Sequence, residues 1–276
     1  MRTNRERFPS LLRFLLQCAL LGSVAMVANA TAGDIEAAKK ELAPTGKLRV
    51  GLVSAPNANV FFVTTNASGA PQGVTADLGD KLAATLAVVG EFVIAHNSGE
   101  ITTALEEGLV DVAFLPVDDE RRKRVDFGPD YVRFESTCLV LGTSDFKTVS
   151  DLDRVGVRVG GEANTTTIRA VASVLKAATV VPIASVGEAM SMLRSGQIDA
   201  FALGRDSLVP YQKEMPGSHI LDGHFHITGI AIAVPKNRSA ALAYARAFIE
   251  DAKASGMIRR TFDDAGMQAA AVAPPE

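Results

Sequence analysis

Residues 104–114 read ALEEGLVDVAF, and residues 192–201 read MLRSGQIDAF. Each stretch begins as the end of a helix, breaks at a glycine (Gly108 or Gly196), and continues through an aspartate into a short apolar strand. One α/β unit therefore occurs twice in the chain. Two similar units predict two similar lobes, and a cleft between two lobes is suited to closing on a small molecule.

Helix and strand patterns alternate on both sides of this duplicated phrase. Strand patterns fall at 47–53, 91–95, 110–115, 156–159, 180–183 and 198–203, and helix patterns at 34–42, 77–89, 101–107, 165–175 and 187–193. Two extended apolar runs, 135–141 and 227–234, predict strands that cross between the lobes. A last helix at 240–255 is expected to pack on the first lobe, followed by a frayed tail from 269 to 276.

The predicted fold class is therefore α/β, with two doubly wound lobes joined by two crossing strands. We expect lobe 1 to comprise residues 45–137 and 231–276, and lobe 2 residues 141–227, with hinge crossings at 138–140 and 228–230. In this layout the carboxyl ends of the parallel strands and the positive N-termini of helices face each other across the cleft. Hinge closure around a buried ligand is the expected motion.

The first thirty residues have the pattern of a secretory signal peptide. Three arginines lie among the first seven residues, residues 15–27 form an apolar stretch too short for a membrane span, and residues 28–30 read Ala-Asn-Ala. A lipid anchor at Cys18 is the alternative, but the preceding Leu-Leu-Gln lacks the small residues that such a site needs. We therefore expect cleavage after residue 30 and export to the periplasm.

The composition after that cleavage excludes several classes of protein. The whole chain has 28 Lys+Arg and 31 Asp+Glu, and removing four Arg and one Glu with residues 1–30 leaves 24 against 30, a net charge of −6. This acidic balance argues against nucleic acid or an anionic membrane surface as a partner. Only Cys138 remains as a cysteine, so no disulfide can form within the chain and a buried core must stabilise it.

Three stretches resemble the bacterial extracellular solute-binding proteins, in the branch of polar amino-acid receptors of ABC importers. KLRVGLV (47–53) followed by GVTADLGDKLAATL (73–86) is similar to the family's opening strand and its Gly-Phe-Asp-x-Asp-Leu helix. ALEEGLVDVAFLPVDDERRKRVDFGPDY (104–131) resembles the block in which a Thr-Pro-Glu-Arg turn precedes Val-Asp-Phe-x-x-x-Tyr, and VGEAMSMLRSGQIDAF (186–201) resembles the second-lobe block. The resemblance covers residues 45–262. It implies a monomeric periplasmic receptor of the type II binding-protein fold that delivers a small solute to a membrane permease and needs no cofactor.

The resemblance places the family's ligand-carboxylate arginine at Arg121. A guanidinium offers a planar fork that matches a carboxylate with two parallel charge-assisted hydrogen bonds. Asp118 can cap the short helix that orients this arginine. The alternative is that residues 121–124 are one solvated charge run that balances the three preceding acids.

In the second lobe, residues 160–166 lie between a strand and a helix and resemble the family's Gly-Thr/Ser-Thr turn. Free backbone N–H groups there could bind an anion, with the Thr165 and Thr166 hydroxyls beside them. A plain helix N-cap by Asn164 explains the same residues without a ligand.

Two departures from the family pattern affect the expected ligand. The position of the family's ammonium-binding aspartate is Gly204 here, followed by Arg205 and Asp206. The aromatic clamp after the first strand is replaced by residues 55–59, APNAN, with Asn57 at its centre. Asp206 could substitute for the lost aspartate, and Arg205 could bring a second cation. The expected solute is a small carboxylate or dianion, and one without an α-amino group fits these residues slightly better than an ordinary amino acid.

Other functions were weighed against this one. Cyclohexadienyl dehydratases resemble the same family and use an acid in the cleft to eliminate water, and Glu162 is the one acid inside the predicted ligand loop. A receptor for a membrane sensor kinase is a third possibility. His219, His224 and His226 do not have the spacing of a zinc site, and no G-x-S-x-G elbow or P-loop occurs. No metal site is therefore predicted, and a binding protein is favoured over an enzyme.

Overall fold

The computed structural model describes residues 32–55, 59–268 and 270–276. The predicted signal peptide and Asn57 lie outside these residues. Within the described residues the helices are α1 (Ala32–Leu42), α2 (Val74–Thr85), α3 (Ser98–Glu106), α4 (Asp119–Arg124), α5 (Thr166–Val174), α6 (Val186–Arg194), α7 (Arg205–Glu214), α8 (Ser239–Ala254) and α9 (Met257–Asp264). The strands are β1 (Lys47–Ser54), β2 (Phe62–Thr65), β3 (Pro71–Gln72), β4 (Val89–Ala95), β5 (Val112–Pro116), β6 (Val125–Val140), β7 (Arg158–Glu162), β8 (Thr179–Ile183), β9 (Ala200–Gly204), β10 (His219–Ile220) and β11 (His226–Pro235).

Among the described residues, the first lobe is built on four parallel strands, since β2 also pairs in parallel with β1, and the second lobe on three. In the first lobe β1 pairs in parallel with β4 and β5, and in the second β7 pairs in parallel with β8 and β9. Helices α2 and α3 connect the first set and α5 and α6 the second, as parallel strands require crossover connections. Beyond these sets β11 pairs antiparallel with β5, and β6 pairs antiparallel with β9. The predicted fold class, two doubly wound lobes joined by two crossing strands, is confirmed.

The two crossing strands, β6 and β11, pair with each other in antiparallel register from one lobe to the other. His226 lies opposite Ser136, Thr228 opposite Phe134, and Pro235 opposite Val125. The predicted crossing at 228–230 therefore faces residues 132–134, whereas residues 138–140 pair with β9 and β10 inside the second lobe. We propose that the hinge on β6 lies nearer 133–136, so that the first segment of lobe 1 ends before residue 133 and not at the predicted 137, while the segment 231–276 and the core of lobe 2 (141–227) stay as predicted.

Lobe 2 is buried on both faces of its sheet. Along β6, Cys138 and Val140 belong to one apolar cluster, while Leu139 between them belongs to the cluster on the opposite face. This alternation follows from the two-residue period of a strand. Burial raises the pKa of the Cys138 thiol, which leaves it a small core side chain with little thiolate at neutral pH.

The duplicated phrase forms the same structure in both lobes. Gly108 and Gly196 each end a helix with positive φ, 69° and 68°, a conformation that glycine adopts without strain. After its glycine, each stretch enters a parallel strand, β5 or β9, in the centre of its lobe. The prediction that one α/β unit occurs twice is therefore confirmed.

The aspartates of the two phrases make equivalent structural ion pairs. Asp111 accepts hydrogen bonds from the backbone N–H, Nε and Nη2 of Arg49, and Asp199 accepts the same three from Arg158. Both carboxylates thus fasten the start of one strand to its neighbour. They lie at the amino ends of β5 and β9, away from the cleft, in keeping with a structural role.

The C-terminal segments close the first lobe. Helix α8 contributes Ala241, Ala245 and Ile249 to the large first-lobe cluster, as expected. Val272 forms an antiparallel bridge with Val132, and Ala273 is buried, so the predicted frayed tail is wrong for these residues. Among the helices of the described residues, none is long and apolar enough to cross a membrane.

Candidate functional site

A cavity lies between the two lobes, at the carboxyl ends of their parallel strands. About 600 Å³ of space free of protein atoms lies within it, part of which is open to solvent. Its walls are largely apolar and come from both lobes: Val60, Phe61, Phe62, Pro116, Phe134 and Leu203. Its polar lining consists of Asn59, Ser98, Glu162, Thr165, Thr166, Thr167, Asp206 and Ser207.

Arg121 lies at the junction of the lobes and is 2% exposed. Its Nε donates to Thr102 Oγ1 and its Nη2 to Ser98 Oγ, both of the first lobe. Its Nη1 donates to the Pro116 carbonyl at 2.8 Å. Burial lowers its pKa to about 10, so it remains a cation at neutral pH. The alternative of a solvated charge run is therefore wrong for Arg121.

The remaining contacts of Arg121 cross to the second lobe. Nη1 donates to Thr166 Oγ1 at 2.5 Å, and Nη2 donates to the Asn164 carbonyl at 3.3 Å. A guanidinium has five N–H donors, and the five contacts engage all of them. In this closed arrangement the guanidinium lies behind Ser98 and Thr166, and Arg121 itself does not line the cavity.

Asp118 is the second residue that joins the lobes at this point. Its Oδ1 accepts the Arg121 backbone N–H and so caps α4, as predicted. Its Oδ2 accepts from the Thr166 hydroxyl at 2.6 Å and from Arg169 Nη2, both on α5. Burial opposes ionisation of Asp118, but the bonds from Thr166, Arg121 and Arg169 outweigh it and lower the pKa of this carboxyl.

The predicted ligand turn leads into α5. Thr165, and not Asn164, is the N-cap, since its side chain accepts the Ile168 N–H. Asn164 takes a left-handed conformation, φ 62°, and presents its carbonyl to Arg121. Thr166 and Thr167 both line the cavity, and among the described residues their backbone N–H groups have no acceptor. Free N–H groups at the start of a nine-residue helix attract an anion.

Of the other predicted ligand residues, the structure places one at the cavity and one away from it. Asp206 lines the cavity near its exposed rim. Arg205 does not, because its guanidinium is bound by Glu135 Oε2 at 3.0 Å and by the Gly223 carbonyl at 2.5 Å. The prediction that Arg205 brings a cation to the pocket is therefore wrong. Asn57 lies outside the described residues, so its predicted role stays a prediction.

Two further parts of the cavity did not enter the predicted site. Asn59 Oδ1 accepts the N–H groups of Phe61 and Phe62, while its Nδ2 donates to Ser207 Oγ of the second lobe at 2.6 Å. This places two aromatic rings against the cavity although the usual clamp sequence is absent. Phe134, on the crossing strand β6, supplies a third ring. Phe134 is far along the chain from the other cavity residues, so no sequence motif pointed to it.

Glu162 is the main electrostatic feature of the cavity wall. It is the last residue of β7 and is 6% exposed. Burial, and secondarily the Glu100 carboxylate of the first lobe, raises its pKa to about 7. At neutral pH the site therefore holds a carboxyl group close to half-protonation.

We expect Arg169→Met to shift the ligand-free protein from the closed toward the open arrangement of its two lobes. The substitution removes the charged second-lobe partner of Asp118 while keeping most of the apolar length of the side chain. A partly exposed ion pair of this kind contributes up to about 1 kcal/mol, a factor of about five in the closed-to-open ratio. Small-angle X-ray scattering should show a larger radius of gyration than for wild type and for the exposed control Arg194→Met. An unchanged radius would contradict a latch at Asp118.

The family model for bacterial extracellular solute-binding proteins, family 3, matches residues 52–264. The chain is 25% identical over 249 residues to the ABC transporter glutamine-binding protein GlnH of Bacillus subtilis (strain 168), covering 88% of each chain. Among solved structures it is similar to holo ArgBP from T. maritima, with a TM-score of 0.67 and 26% identity over 81% of this chain and 99% of the other. It is also similar to the ancestral amino acid-binding protein AncCDT-1, a precursor of cyclohexadienyl dehydratase, with a TM-score of 0.69 and 25% identity over 82% and 97% of the two chains.

Proposed function

The chain belongs to the bacterial extracellular solute-binding proteins, family 3, and we propose that it is the substrate-binding component of an ABC importer. Its solute is a small carboxylate-bearing molecule, an amino acid or a related organic acid. The observation that carries this proposal is the cavity with walls from both lobes, beside a buried arginine and a free helix N-terminus.

The α5 N-terminus and Arg121 together supply what a carboxylate needs. The N–H groups of Thr166 and Thr167 provide hydrogen-bond donors and the partial positive charge of the helix end. Arg121 provides a full charge and a planar fork. Pro116, the last residue of β5, has no N–H, and its carbonyl accepts from Arg121. The end of β5 therefore offers no donor at Pro116, and the donors for an anion come from α5 and Arg121.

Lobe opening is what makes Arg121 available to a ligand. Two of its five acceptors, Thr166 Oγ1 and the Asn164 carbonyl, belong to the second lobe and move away with it. In the open protein one N–H of Nη1 and one of Nη2 are then free to donate to the oxygens of a carboxylate. A bound carboxylate takes the place of these protein acceptors, and the lobes close over it.

The remaining parts of the proposal follow from membership of an extracellular importer family. The chain acts outside the cytoplasm, and we place it in the periplasm after cleavage behind residue 30. The closed lobes present their liganded surface to a membrane permease, and the protein acts as a monomer. The names of similar proteins mention glutamine and arginine, so these are the first solutes to test.

A thermal-shift screen of residues 31–276 tests the proposal. The panel contains amino acids including glutamine and arginine, dicarboxylates, aromatic acids and phosphonates. A ligand at about a thousand times its dissociation constant adds about 4 kcal/mol, which for this chain length raises the midpoint by roughly 8–16 °C. The chain has no Trp, so an extrinsic dye is required. The proposal fails if no compound shifts the midpoint and mass spectrometry of the denatured protein finds no released solute.

Glu162 favours a second candidate, a dehydratase on the same fold. A buried carboxyl with a pKa of about 7 can hold a proton at neutral pH and donate it to a leaving hydroxyl. The expected activity is loss of water from a cyclic hydroxy acid, followed by mass spectrometry. Glu162→Gln would abolish that turnover while the acid still binds, whereas absence of turnover in wild type leaves the binding protein as the function.

A further inference from the structure

Glu162 ends β7 with its side chain against the cavity, and it is 94% removed from solvent. The backbone of Glu162 already has partners, since its carbonyl accepts the Thr165 hydroxyl and its strand pairs with β8. Among the described residues, none makes a hydrogen bond or an ion pair with its carboxylate. Burying an ionised carboxylate without a partner is costly, so this group takes up either a proton or a cationic partner.

The groups that face Glu162 do not provide that partner. His96 and Glu100 of the first lobe line the adjoining depression with it, and Asp206 lines the cavity from the start of α7. Arg121, Arg169 and Asp118 lie beyond Thr166, where they bind one another. The described residues that line the cavity include no Lys, Arg or His. The charge that acts on Glu162 is the like charge of Glu100, which raises the pKa of Glu162 further.

The rest of the wall suits a cation with an apolar body. Phe62 and Phe134 are partly buried rings at the cavity, and aromatic faces attract ammonium and guanidinium groups. Asp206 adds a second carboxylate at the rim. Two acids and two rings, with no basic side chain among them, make this part of the cavity complementary to positive charge.

We propose that Glu162 is the subsite for a cationic group of the solute, an ammonium or a guanidinium, with Asp206 assisting at the rim. This inference rests on the proposed function and deepens it: the solute carries a carboxylate toward Arg121 and α5, and a cation toward Glu162. The cation partner is thus a residue at the start of the second-lobe turn.

The subsite has a characteristic pH dependence. A cation binds the ionised form of Glu162, and the free carboxyl has a pKa of about 7. Affinity for a cationic solute should therefore be constant well above pH 7 and fall up to tenfold for each pH unit below it. His96, Glu100 and Asp206 face the same space, so the Glu162→Gln variant is needed to assign the titration.

The test uses probes that share one body and differ in their end groups. Isothermal titration calorimetry at pH 8 compares ω-amino acids, ω-guanidino acids, simple amines, simple carboxylates and dicarboxylates, on straight chains of three to six carbons and on a phenyl ring. Proteins are wild type, Glu162→Gln and the exposed control Glu188→Gln. Because Gln removes an unpaired buried charge, the unfolding midpoint of Glu162→Gln at pH 8 should equal or exceed that of wild type, which reports that the variant is folded.

We expect the best probe to carry a cation, to bind at least tenfold more weakly to Glu162→Gln, and to lose its pH dependence in that variant. Glu188→Gln should behave as wild type. The inference is overturned if the probes that bind are carboxylates or dicarboxylates without a cation, or if a cationic probe binds Glu162→Gln as well as wild type. Either result leaves the proposed function standing. Absence of binding by every probe and by the whole thermal-shift panel would overturn the proposed function as well.

Discussion

Replacing Arg121 by Met is expected to raise the dissociation constant of the carboxylate-bearing solute by at least about 100-fold. The substitution removes the only buried guanidinium at the lobe junction of the described residues, together with five hydrogen bonds. Removing one partner from a buried, hydrogen-bonded charge system costs about 3–5 kcal/mol. Isothermal titration calorimetry on the solute found by screening measures the change.

The neighbouring Arg122 provides a matched control. It is exposed on the same helix and lies over the Phe127 ring, so Arg122→Met should bind as wild type does. A solute analogue without its carboxylate separates ligand contact from lobe closure, because it should lose much less affinity in Arg121→Met than the parent solute. Equal losses for the two ligands would mean that Arg121 acts only as a latch between the lobes.

Replacing Asp111 by Asn is expected to lower the stability of the protein by about 3–5 kcal/mol, whereas Asp199→Asn should cost no more than about 1 kcal/mol. The two carboxylates make the same three hydrogen bonds, but the Asp111 side chain is 0% exposed and that of Asp199 is 31% exposed. Asp111 also lies 3.4 Å from a second guanidinium, that of Arg238. Solvent therefore screens the second-lobe pair more strongly than the first-lobe pair.

Thermal unfolding by circular dichroism measures the difference between the two variants. At about 2–4 °C per kcal/mol for a chain of this size, Asp111→Asn should lower the midpoint by about 6–20 °C and Asp199→Asn by at most a few degrees. Equal shifts would show that burial does not distinguish the two copies of the duplicated phrase. A large shift for Asp199→Asn alone would contradict the assignment of its pair as solvent-screened.

The parts of the fold that could be predicted from the sequence are those encoded locally. The glycine breaks at 108 and 196, and the aspartates after them, mark the same helix-to-strand turn in both lobes, and this turn is made by neighbours in the chain. The helix at 77–89 shows the limit. In the structure α2 ends at Thr85, Ala87 turns the chain with φ 51°, and Val89 already belongs to β4. No Gly or Pro marks that end, and the apolar spacing continues through it by coincidence.

The site depended more on contacts that spacing does not contain. Arg121 was predicted as the anchor for the carboxylate of the solute, and that role stays a prediction, but its partners Thr166 and Asn164 come from more than 40 residues away. Arg205 was misplaced because Glu135, 70 residues earlier in the chain, binds its guanidinium outside the cavity. Glu162 stood out only as an acid in the turn, since its burial is produced by both lobes together.

The crystal structure of residues 31–276 with the best solute from the screen would test the central claim most directly. The predicted result is one solute in the cavity between Phe62 and Phe134, with its carboxylate within hydrogen-bond distance of Arg121 and the Thr167 N–H. Thr166 Oγ1 and the Asn164 carbonyl would then no longer bind the guanidinium. A solute bound elsewhere on the chain, with the five contacts of Arg121 unchanged, would contradict the proposed site.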